Sequence, residues 1–143
     1  MKNTADVESA LKALKDFMHK MNAWECEFFK VRKKQLDKGE DNPSTKAFYK
    51  GELEKILESS AIKDKGNFGR LIDLGCTSPP TYDVSSDKIE VVSAMQKEVV
   101  IRIEQTVGVE LVSKVTMTLI SGLWKIKKKE DLGYDEKWRR APL

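Results

Sequence analysis

The apolar residues of this chain recur at intervals of three and four up to the middle of the sequence, and after Thr81 they switch to intervals of two. That change of period fixes the fold class, because helices and strands expose a face at different repeats. Val7, Leu11, Leu14, Phe17, Met18, Met21, Trp24, Phe28 and Val31 predict one long amphipathic helix from about Thr4 to Lys38, which Gly39 ends. Such a helix is roughly 50 Å long at 1.5 Å per residue and needs a broad cover for its stripe. Asn42 as cap and Pro43 at the first turn predict a second helix to about Ser60, with Phe48, Leu53, Ile56 and Leu57 on its apolar side. A shorter helical piece is expected around Phe68 to Leu74, and Gly75 to Pro80 ends helix formation.

The second half predicts strands near Thr81–Val84, Lys88–Ala94, Glu98–Thr106, Glu110–Ile120 and Leu123–Lys129. A loop at Val107-Gly108-Val109 sets Ile103 opposite Ser113, Ile101 opposite Val115 and Val99 opposite Met117 on one face. Glu104 with Val112, Arg102 with Lys114 and Val100 with Thr116 then share the other face. A slip of one residue would place Ile103 against Lys114, which the apolar pattern rejects. A tight turn at Ser121-Gly122 pairs Leu119 with Trp124, Met117 with Ile126, Thr118 with Lys125 and Thr116 with Lys127. The result is an α+β fold: a curved antiparallel sheet whose apolar face and the first helix cover each other. The length of 143 residues fits a single domain over 1–143, with residues 130–143 either folding back or forming a C-terminal tail.

The bulk charge excludes little. There are 26 basic and 23 acidic residues, a net charge of +3, so a nucleic-acid partner is not demanded, and none is expected. No apolar run approaches a membrane span, and the charged N-terminus does not read as a secretory signal, so a cytoplasmic protein without a membrane partner is expected. Cys26, Cys76 and the single His19 cannot complete a structural zinc site, so reduced thiols, no metal and no cofactor are expected.

Within this frame Phe17-Met18-His19-Lys20-Met21-Asn22-Ala23-Trp24-Glu25, followed by Phe28-Phe29, resembles the first helix of the immunity proteins with the nuclear transport factor 2 (NTF2) fold. Gly122-Leu123-Trp124-Lys125-Ile126-Lys127 looks like their last sheet strand. The resemblance implies an NTF2-like, cystatin-like cone. It also implies a bacterial protein that binds and neutralises a cognate toxin, of the Rhs polymorphic kind or delivered by type VI secretion, with no catalysis of its own. Such surfaces diversify with their toxins, so the family offers no fixed contact residues.

The same superfamily includes isomerases, dehydratases and small-ligand binders, and an enzyme or ligand-binding protein of that kind is the alternative. Those enzymes place a carboxylate or histidine in the hollow of the cone. The derived inner face here is Ile89, Val91, Val99, Ile101, Ile103, Val115, Met117, Leu119, Trp124 and Ile126, with no acid-base group. His19 lacks an evident carboxylate partner and reads as solvated, and Tyr82 and Asp83 read as a strand-end turn. No phosphate loop or nucleophile elbow occurs. The residues singled out for partner contact are therefore on the outer sheet face, Arg102, Glu104, Lys114, Lys125 and Lys127, and near the C-terminus, Tyr134 and Trp138. The lysines of Lys125 to Lys129 are expected mostly outside, and Glu25 is expected among the surface acids that dilute the basic runs. Phe29, Tyr49, Tyr134 and Trp138 fall off the core pattern. Pairing through the sheets into a homodimer is a third possibility.

Overall fold

A computed structural model describes residues 4–108 and 110–143. Helix α1 spans Thr4–Asp37 and α2 spans Pro43–Ser60, where the Asn42 side chain accepts from the Ser44 backbone N–H as an N-cap. The expected third helix is a single 3-10 turn, Gly69–Leu71. Five strands follow, β1 Lys88–Ala94, β2 Glu98–Glu104, β3 Val112–Ile120, β4 Leu123–Leu132 and β5 Trp138–Ala141, in one antiparallel sheet ordered as in the chain.

The stripe of α1 packs on the apolar face of the sheet. Leu14, Phe17, Met18, Met21, Trp24 and Phe28 of the helix and Val99, Ile101, Ile103, Val115, Met117 and Ile126 of the sheet are all buried in one core. Each large aliphatic or aromatic side chain removed from water there contributes about 1.5–3 kcal/mol. The β2–β3 pairing is the derived one, including Ile101 opposite Val115 and Arg102 opposite Lys114. The loop derived for that hairpin includes Val109, which lies outside the described residues; Gln105 N–H still donates to Leu111 O at 2.9 Å.

Three further expectations change, and the open choice for residues 130–143 is decided as folding back. Thr81–Val84 forms no strand: the Asp83 carboxylate accepts from the Ser85 N–H and hydroxyl, and Asp83 O accepts from the Ser86 and Asp87 N–H groups, so local turn chemistry outcompetes extension. In α2, Tyr49 rather than Phe48 joins Leu53 and Leu57 in the core, because only Tyr49 shares their spacing of four. Residues 130–143 build the end of β4 and the whole of β5, and Leu143 is buried. Finally, β4 has a bulge opposite Thr116–Met117, so Thr116 faces Lys128 rather than Lys127. A second irregularity lies in β1 between Val91 and Ser93, and both bend the sheet locally.

Candidate functional site

The bulge in β4 decides what enters the hollow. Beyond it, Lys129 pairs with Val115 and points inward, where it is only 4% exposed. Its ammonium lies 5.0 Å from the centroid of the Tyr82 ring and 3.9 Å from Asp131 Oδ1. Tyr82, read from sequence as a turn residue, plugs the interior edge-on to Phe17 at 5.4 Å. Burial pushes the nearby Asp87 carboxyl up, partly opposed by the Asp83 N–H bond to it. The hollow is thus closed by packed side chains, and Lys129 is the exception in a lysine run expected mostly outside.

A second buried charge lies on α1. Glu25 is fully buried, not a surface acid. Its Oε2 accepts from Arg70 Nη2 at 2.6 Å and from the Thr77 N–H and hydroxyl at 2.8 and 3.1 Å, while Oε1 accepts from the Thr81 N–H at 2.8 Å. Arg70 in turn donates to Gly75 O at 3.2 Å and stacks over Trp24 at 5.1 Å. Both carboxylate oxygens are engaged in holding the loop of residues 69–81 against the helix. A carboxylate so fully committed is an anchor, not an acid-base group. Only the spacing could have signalled it: Glu25 sits one residue after Trp24 and four after Met21, on the buried side.

The candidate contact residues divide in two. Arg102 and Lys114 are cross-strand neighbours, Glu104 lies 3.2 Å from Arg102, and the Lys114 ammonium sits 4.2 Å from the Trp138 ring centroid. Trp138 pairs with Leu132, and Tyr134, fully exposed, projects from the β4–β5 turn just beyond. These five residues share one end of the outer sheet surface. Lys125 lies opposite Thr118, four positions or about 13 Å along the strand from Lys114, and Lys127 sits at the bulge between these levels with its ammonium turned toward Glu98, which also faces Thr118. Lys125 donates to Ser59 O at the end of α2, and Lys127 pairs with Glu98 at 3.3 Å. The structure therefore does not bring them into one patch with the others. His19 is exposed, and Tyr49 is buried, its ring stacked on Phe28 at 4.7 Å and its hydroxyl donating to Glu27.

Clefts run from this sheet end around the molecule. One, of about 220 Å³, lies between Leu111, Val112, Leu132 and Tyr134. It meets at Leu111 a cleft of about 430 Å³ whose far wall is Thr77 to Thr81. Gly108 closes on Pro79 there; a Cβ on it would come within 2.9 Å of the proline ring. Beyond Cys76 a third cleft, of about 440 Å³, is lined by Phe29, Arg32, Lys33, Leu36, Gly75 and Cys76. Burial pushes the Cys76 thiol up, and Arg32 only partly offsets this, so it is not poised as a nucleophile. Among the described residues no helix is long and apolar enough to cross a membrane.

Comparison with known proteins agrees with this geometry. The family described as NTF2 fold immunity protein matches residues 9–142. The immunity protein RhsIA of Dickeya dadantii (strain 3937) is 30% identical over 140 residues, covering 96% of this chain and 98% of the relative. No solved structure matches.

Proposed function

Because this chain belongs to the NTF2 fold immunity protein family, we propose that it protects its producer by binding a cognate Rhs-type toxin domain in the cytoplasm, one to one and without catalysis. The observation that carries this is the near full-length match to an Rhs immunity protein. The interior supports it, with Glu25 locked into four hydrogen bonds and the hollow filled by Tyr82 and its neighbours.

The proposed contact is the sheet end that carries Arg102, Glu104, Lys114, Trp138 and Tyr134. Aromatic residues and arginine dominate binding energy when a partner desolvates them. Tyr134 is exposed and Trp138 half-buried beneath Lys114, which presents an amphipathic anchor with cations beside it. The Arg102–Glu104 pair is solvent-exposed enough to exchange partners at a cost of about 0–1 kcal/mol.

Co-expression with its cognate toxin domain tests the function: growth should be restored, and the two purified proteins should form a stoichiometric complex. Trp138→Ala and Tyr134→Ala together should weaken that complex at least tenfold, whereas Lys125→Ala with Lys127→Ala should leave it nearly unchanged. Undiminished toxicity in the presence of the folded protein would end the immunity assignment. A tight complex that ignores the aromatic substitutions would move the contact elsewhere.

A further inference from the structure

We propose that the cleft at the C-terminal end of α1 receives an acidic, apolar-flanked segment of the same toxin; this rests on the immunity assignment above. Three observations support it. The cleft joins an apolar floor, Phe29, Leu36 and Cys76, to two cations, Arg32 and Lys33, and no carboxylate lines it. Among the described residues neither cation makes an ion pair. The Arg32 guanidinium instead rests over the Phe28 ring at 5.8 Å, which holds it in place.

The far wall is fixed too. Gly75 O is held by Arg70, and the residue after Cys76 is held through its N–H by Glu25, so the cleft keeps its shape without a partner. Pre-formed, apolar and positively charged, it selects for a segment that brings carboxylates next to an aliphatic or aromatic side chain. Its position is consistent with a single partner, because its Gly75–Cys76 wall continues in the chain into Thr77 to Thr81, which line the next cleft, and Leu111 lines both that cleft and the one at Tyr134. A toxin seated on the sheet end could extend such a segment along this seam.

The test uses the full-length protein and an inactivated form of its cognate toxin domain. Lys33→Glu, an exposed position that should not disturb folding, and Arg32→Gln should each reduce affinity several-fold, and Arg32→Glu with Lys33→Glu at least thirtyfold, mainly through slower association. In a Cys26→Ala background, alkylation of Cys76 should slow at least fivefold when toxin is bound. Complexes of unchanged affinity and unchanged Cys76 reactivity would overturn this cleft as a contact while leaving the immunity function standing. Failure of the unaltered protein to bind or to protect would instead remove the function and the cleft together.

Discussion

Glu25 concentrates in one side chain the attachment of a long irregular segment to the principal helix. Removing the carboxylate leaves the Arg70 guanidinium, only 11% exposed, without its counter-charge, and frees two backbone N–H groups at Thr77 and Thr81. Breaking a buried pair from one side costs about 3–5 kcal/mol. Glu25→Ala should therefore lower the urea midpoint by that equivalent, and a loss under 1 kcal/mol would show that the loop is held by other means. Asp83 acts on a smaller scale. Hydrogen bonds from the Ser85 and Ser86 hydroxyls hold its carboxyl below the ordinary range. A carboxyl lowered by folding adds stability that is present above its unfolded value, about 3.9, and is lost as pH falls through the folded value. Asp83→Ala should thus be less stable than the native protein at pH 6, and the gap should narrow as pH drops toward 3.

The fourth strand shows what an element can and cannot declare in its sequence. Alternation alone set β2 against β3 correctly, because Val99, Ile101 and Ile103 tolerate only one register opposite Val115 and Met117. It also paired Leu119 with Trp124 and Met117 with Ile126. Three successive lysines after Ile126, however, cannot all face water in a strand that keeps pairing. The bulge chooses Lys129 for the interior, and no periodicity marks where an extra residue will be accommodated. Lys129→Glu would set an anion beside Asp131 and Asp87 and against the face of the Tyr82 ring, a loss of about 3–5 kcal/mol by chemical denaturation. Lys129→Met keeps the stem but leaves Asp131 without its counter-charge; because Asp131 is part-exposed and still accepts from the Ser113 hydroxyl, the methionine variant should be destabilised less than the glutamate variant. A methionine variant less stable than the glutamate variant would refute this account of the ammonium. The sheet-end cluster was half legible for a related reason. Arg102 and Lys114 fall together from register alone, but Lys125 and Lys127 lie further along the same surface. The cleft at Arg32 and Lys33 was hidden because its second wall, Gly75-Cys76, comes from a loop whose path depends on the distant Glu25.

At the scale of the whole molecule, both proposed contacts carry cations, and the edge formed by Gly75 to Thr81 lines two of the clefts. Association with an acidic partner should therefore slow markedly between 50 mM and 500 mM salt while dissociation changes less, since screening weakens steering before it weakens close packing. Stopped-flow rates that do not respond to salt would argue for a contact made by apolar surface alone. The manner in which the edge is built carries a consequence for its history. The wall from Gly75 to Thr81 is gripped chiefly through main-chain groups, by a carboxylate and a guanidinium that lie out of a partner's reach. Its outward side chains can then be exchanged, generation after generation, without the rim losing its contour. A lineage pressed to match a changing adversary would find there a mould whose lettering is replaceable and whose frame is not.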